Sequence, residues 1–152
     1  EKVAAEINEK KIAFSENAIK EIDILLDAIT EIIITTTTVY EKNDYELAAK
    51  VEPLEQVIDR IAAEIKMHHI ARLQRGDCTI ELGFVLSDLL TNCERISDHC
   101  SNIAIYMMQE DYVNIDTHDL MDRIKNSGDI NFEGQKMYYR NRYKLPQTNV
   151  QN

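Results

Sequence analysis

The chain has 152 residues, 44% of them hydrophobic and 29% charged, with 27 acidic against 17 basic side chains and a formal net charge of -10. That length accommodates one domain with a real core, and the negative charge repels the phosphates of nucleic acid and of anionic lipid headgroups alike. Four glycines, two prolines and no tryptophan leave little material for a turn-rich β fold, so the expectation is an all-α protein. No stretch approaches the ~18 to 20 uninterrupted apolar residues of a membrane span, and no signal peptide is visible, so the chain as given is expected to be soluble.

From Glu1 to about Lys42, Ile7, Phe14, Ala18, Ile22, Leu25, Ile29, Ile32, Thr36 and Val39 recur at steps of four and three, with Ile12, Ile19, Leu26 and Ile33 widening the stripe. This is the pattern of a long first helix. The run Ile32 to Val39 is β-branched and suits a strand locally, but the unbroken periodicity outweighs that. Asn43 and Asp44 form a turn and helix cap. Leu47, Val51, Leu54, Ile58, Ile61, Ile65 and His68 carry a second helix toward Arg75 and Gly76, with Pro53 marking either a kink or a true start near Glu52. Asp77 or Thr79 caps a third helix whose apolar line is Leu82, Leu86, Leu89, Cys93, Ile96, Cys100, Ile103 and Met107.

Three such helices joined by short turns run antiparallel and share one seam, giving a three-helix bundle with helices near 1–42, 44–75 and 78–110. The bundle is expected to occupy residues 1–112. A helical extension over 113–146 follows, beginning with a capped short helix at Asp116 and continuing through the tyrosine-rich segment, and a disordered tail over 147–152 ends the chain. Cys93 and Cys100 lie about 10 Å apart along one helix, too far for a disulfide with each other, and with Cys78 they read as free thiols.

Polar residues on the second and third helices hold the chemical interest. Glu55 with Asp59, preceded by Glu52, and Glu94 with Asp98 form two Glu-x-x-x-Asp pairs. At that spacing both carboxylates of a pair share one helix face and can bind a hard or borderline cation through oxygen. The alternative is an ion-pair network with Arg95 and neighbouring basic residues, which serves the fold alone. His68 falls on the core stripe, His69 turns toward Glu52, Glu55 and Asp59, and His99 neighbours Asp98. No Gly-rich phosphate loop, nucleophile elbow or mid-helix oxyanion hole is present, so the chain reads as non-enzymatic. Arg140, Arg142 and Lys144 make a locally basic tail, read as packed rather than as a phosphate or partner site.

The run Glu94-Arg95-Ile96-Ser97-Asp98-His99 followed by Asn102-Ile103-Ala104 resembles the signature of the PhoU domain, a helical module of bacterial phosphate-transport regulation. Residues Glu52 to Ile65, His69 to Ala104 and Tyr143 to Pro146 are similar to the cytoplasmic C-terminal region of bacterial sodium/phosphate cotransporters. PhoU proteins commonly carry two three-helix repeats, and this chain has room for one.

The resemblance implies a regulatory domain acting through protein contacts on the cytoplasmic side of the membrane. It also implies that a membrane transporter domain of the same polypeptide precedes Glu1, and that iron or another divalent metal binds at Glu55, Asp59, Glu94 and Asp98. A homo-oligomer is compatible with this reading. The rival expectations are a free-standing PhoU-type adaptor that restrains phosphate-uptake signalling, and a structural or metal-binding helical bundle.

Overall fold

The computed structural model describes residues 13–111 and 131–146. The expected short helix at Asp116, the positions before residue 13 and the tail over 147–152 lie outside the described residues. Helix α1 spans Glu16–Lys42, where Ser15 Oγ accepts from the Ala18 amide at 3.3 Å to cap its start and Asn43, at φ 50°, closes its end in the left-handed region. The β-branched run is helical throughout. Its threonines make this tolerable: the hydroxyls of Thr36, Thr37 and Thr38 each donate to the carbonyl four residues back at 2.8 Å, so they satisfy themselves within the helix.

Asp44 Oδ1 accepts from the Leu47 amide and starts a single turn, α2, Tyr45–Ala48. The second long helix, α3, then begins at Val51 and runs to Gln74. Pro53 therefore sits in its first turn, where a missing N–H costs no intrahelical bond, and the alternative of a true start near Glu52 holds over a kink. Gly76, at φ 77°, stops the chain in a conformation that favours glycine. Thr79 supplies the next cap, its Oγ1 accepting from the Leu82 amide, and α4 spans Ile80–Asp111. A last helix, α5, covers Phe132–Arg142.

Helices α1, α3 and α4 each pack against the other two, and α5 lies on α3. The short turns make consecutive long helices antiparallel, so α1 and α4 run parallel. Leu25, Ile32, Leu54, Ile58, Ile65 and Leu86 are the largest apolar side chains sealed in the shared seam. The middle of the α3 line, Val51, Leu54, Ile58, Ile61 and Ile65, is buried as its spacing indicates, while Leu47 falls in α2 and His68 is only partly buried. The α4 line does not: Ile96 and Ile103 are 38% and 44% exposed, while Ser97, Ser101 and Ala104 are buried in their place. On α1, Ile19, Leu26 and Ile33 likewise face outward rather than widening the core.

The histidines exchange the expected places. His69 is the buried one, its Nδ1 3.4 Å from Cys78 Sγ and its other edge against Gly83, whereas His68 is partly exposed. The physical reason is Glu21, a carboxylate from α1 that is 1% exposed. His68 Nδ1 lies 2.7 Å from its Oε1 and Arg72 Nη2 2.9 Å from its Oε2, so the buried charge draws both partners to its side of α3. In the C-terminal segment Tyr139, Tyr143 and Leu145 are buried, whereas Arg140, Arg142 and Lys144 are exposed; Arg142 pairs with Glu31 at 3.0 Å, and the Tyr143 hydroxyl donates to the same carboxylate.

Replacing Leu54 by Ala should cost about 2–5 kcal/mol of unfolding free energy in urea titrations, while Met67→Ala, at an exposed site, should change it by no more than about 0.5 kcal/mol. The thiols give a second check. Cys93 and Cys100 are buried, which pushes both thiols up, and Cys78 is partly exposed. One thiol should react promptly with a disulfide reagent at pH 8 in the native protein and all three after unfolding; prompt reaction of all three in the folded state would contradict this packing.

Candidate metal centre between α3 and α4

Antiparallel packing of α3 on α4 sets a register in which each step forward on one helix meets an equal step back on the other. Ser101 Oγ donates to Glu52 Oε2 at 2.5 Å and fixes it. One turn along, Glu55 reaches Asp98, and a further turn brings Asp59 toward Glu94. The outcome is a carboxylate cluster built from the Glu55/Asp59 pair and Asp98 of the second pair. Oxygens of Glu55, Asp59 and Asp98 all lie within 4.8 Å of one another. Glu55 is partly buried, and Asp59 and Asp98 are exposed at the mouth.

Glu94, the fourth residue expected at the site, stays outside that group. It remains in its field, where burial and then Asp59 raise its pKa and Lys66 works in the opposite direction. Glu52 is buried and occupied elsewhere, accepting from Ser101 and from Gln56 Nε2 at 3.1 Å. His99 is exposed on another side of α4, beside Tyr40 and Tyr106, and His69 points away to Cys78. Neither histidine joins the carboxylates.

The electrostatics follow from crowding. Burial pushes Glu55 up to about 8, with Asp59, Glu52 and Asp98 adding to the rise, and a hydrogen bond joins its carboxyl to that of Asp59. Asp59 is raised as well, chiefly by burial and by Asp98. Among the described residues none of the three is in an ion pair with Lys or Arg. Raising Glu55 to about 8 favours its protonated form at neutral pH, which lets it donate to Asp59 and relieves the crowding of like charges. The set is all oxygen, open on one side and negatively charged when ionised, which fits a hard or borderline ion such as Mg²⁺, Ca²⁺, Mn²⁺ or iron.

A helical bundle bearing an acidic ridge on the line where two helices meet is the class of protein these features define. The chain belongs to the PhoU domain family, whose model matches residues 22–107, from the first turns of α1 to near the end of α4. It is also similar to the phosphate-specific transport system accessory protein PhoU homolog 1 of Thermotoga maritima, with 24% identity over 98 residues that cover 64% of this chain. The matched part spans 41% of that relative's length. No solved structure matches the chain. Among the described residues no helix is long and apolar enough to cross a membrane.

A pH titration tests the cluster. A carboxyl raised in the folded state adds stability that is fully present below its unfolded value, near 4.5 for Glu55, and lost as the pH climbs through about 8. In metal-free buffer the melting temperature should decline from pH 5 to pH 8, and Glu55→Gln should flatten that decline. An unchanged slope in the variant would mean that Glu55 titrates as an ordinary surface carboxylate.

Proposed function

We propose that this chain is a regulatory module of phosphate transport that works through protein contacts and holds a cation on Glu55, Asp59 and Asp98, with Glu94 adding negative field. The observation that carries the reading is the meeting of the Glu55/Asp59 pair of α3 with Asp98 of α4 inside the segment matched by the family. A bound cation supplies positive charge at the α3–α4 junction. The protein's part is to present three carboxylates from two helices, so that the ion ties the helices together and gives up its place to a proton at low pH. No catalytic step is assigned to the chain.

Two settings suit such a module. In the first it is the cytoplasmic part of a sodium-dependent phosphate cotransporter, supported by the likeness of Glu52 to Ile65 and His69 to Ala104 to that region. In the second it is a free-standing adaptor, supported by the printed name of the Thermotoga relative, an accessory protein of a phosphate-specific transport system. Reading the complete open reading frame separates them: membrane-spanning segments ahead of Glu1 favour the first, their absence the second.

The cation is tested by thermal melting of protein stripped with chelator. Iron, manganese, zinc, nickel, magnesium or calcium, added one at a time, should raise the melting temperature with concentration, corresponding to about 2.7 kcal/mol at one hundred times Kd. The change Glu55→Gln with Asp98→Asn should abolish the increment and leave the metal-free bundle at least as stable, because like charges are removed. A wild-type protein indifferent to all six ions would leave these residues as a surface network. Phosphate uptake by cells carrying the same double variant tests the regulatory role, with altered uptake expected.

A further inference from the structure

Cys78 stands in the turn between α3 and α4, and its surroundings are unlike those of the other two cysteines. Cys93 and Cys100 are buried, while Cys78 is partly exposed. Its Sγ lies 3.4 Å from Nδ1 of His69 and 3.8 Å from the Thr79 carbonyl, so the imidazole is the nearer partner. His69 itself is 5% exposed. The turn thus sets a thiol that solvent reaches against a nitrogen base that is almost wholly enclosed.

Holding that imidazole has two structural costs. Nε2 is buried without a hydrogen-bond partner, and an unmet polar atom in the interior is destabilising. Glycine at position 83 is the second: a Cβ there would come within 2.8 Å of Nε2, so the first turn of α4 takes a residue of poor helix propensity and thereby admits the ring. A buried nitrogen kept at such cost calls for a functional account, and the polar contact the ring makes is to the Cys78 sulfur. Burial, and after it Arg72, lower the His69 pKa, so the ring is neutral at pH 7 and carries a bare nitrogen. With Nε2 closed off against Gly83, Nδ1 is the position at which the ring can take up a proton. Of the other charged groups nearby, Lys66 lines the cleft on the far side of the ring, and Arg75 and Asp77 in the turn pair with each other at 3.0 Å.

We propose that Cys78 is a modification site for low-molecular-weight thiols, taken up from their disulfides, with His69 accepting the thiol proton. Sγ attacks one sulfur of the disulfide RSSR, an Sγ–S bond forms as the S–S bond breaks, and RS⁻ leaves. The proton passes from Sγ to Nδ1 and on to RS⁻, giving Cys78–S–S–R and RSH with no further oxidant. An excess of RSH reverses the step. The reactant is small because Sγ is only partly exposed and is flanked by His69 and the Thr79 backbone. The site adjoins the C-terminal end of α3, away from the carboxylate cluster, and does not depend on cation binding.

The intact chain, incubated with oxidised glutathione in chelator-treated buffer and followed by mass spectrometry, tests this. One adduct per chain is expected, on the peptide that contains Cys78, and folded Cys78→Ser should carry none. His69→Leu should slow adduct formation by at least about 10-fold at pH 7, and the two rates should converge above pH ~9, where an ordinary thiol ionises without help. Convergence separates proton transfer from altered access, which would slow the variant at every pH. If His69→Leu lowers the helical circular dichroism, Gly83→Ala, whose methyl displaces the ring, provides the same reading. Ser87→Ala, in the cleft on the far side of His69, should leave the rate as in wild type. Equal rates for wild type and His69→Leu from pH 6 to 8 would overturn the proposal, as would a slowing that persists at every pH. So would an adduct on Cys93 or Cys100 of the folded protein, or no adduct at all.

Discussion

The acidic ridge of this bundle depends on the register in which α3 packs on α4, pinned by the Ser101–Glu52 hydrogen bond. On its inward side α4 offers Ser97, Ser101 and Ala104, all small and all buried. Small side chains let the helix axes come together, and Ser101 then bonds Glu52 across the junction at 2.5 Å while Ser97 returns its hydroxyl to the Glu94 carbonyl. With isoleucines at these positions the axes would stand further apart. The carboxylates of Glu55, Asp59 and Asp98 would then flank a wider groove instead of sharing one volume.

The same rotation of α4 that brings its small residues under α3 has a consequence on the far side. Turning Ser97 and Ser101 inward turns Ile96 and Ile103 outward, toward α1, where Ile33 and Tyr40 already stand exposed. One helix thus carries two unlike flanks, an acidic one shared with α3 and one beside α1 where Ile103 and Tyr106 stand among Asn43, His99 and Asn102. Both arise from a single packing decision, and neither is a local property of α4 alone.

That decision is where reading the chain in one dimension falls short. Periodicity locates the long helices well, because Val51, Leu54, Ile58, Ile61 and Ile65 have no competing assignment and all are buried. On α4 an isoleucine line and a serine-alanine line run one residue apart, and hydropathy favours the isoleucines, whereas close helix contact and the Glu52 bond favour the serines. His68 and His69 are also adjacent positions on one helix, and the choice between them is made by Glu21 from α1, which nothing in the local pattern announces. The two carboxylate pairs are legible as i,i+4 pairs within each helix. Which members meet across the helices depends on antiparallel register, so Asp98 joins Glu55 and Asp59 while Glu94 stands apart.

The C-terminal helix, which reads as a packed tail, also belongs to the electrostatics of the ridge. Lys136 Nζ on α5 donates to Gln56 Oε1 at 2.6 Å, and Gln56 Nε2 in turn donates to Glu52 Oε1 at 3.1 Å. This relay brings a positive charge to within two hydrogen bonds of a buried carboxylate that itself raises the Glu55 pKa. A ridge of four acidic residues on one helical junction is costly unless some of that charge is offset. Ser101 and Gln56 satisfy the Glu52 oxygens, Lys136 supplies compensating charge from outside the bundle, and the raised pKa of Glu55 lowers the ionised charge further. What is left without a basic partner is Asp98 at the mouth of the cluster, which faces solvent with Asp59, so the acidic character of the ridge is concentrated at its solvent-facing end.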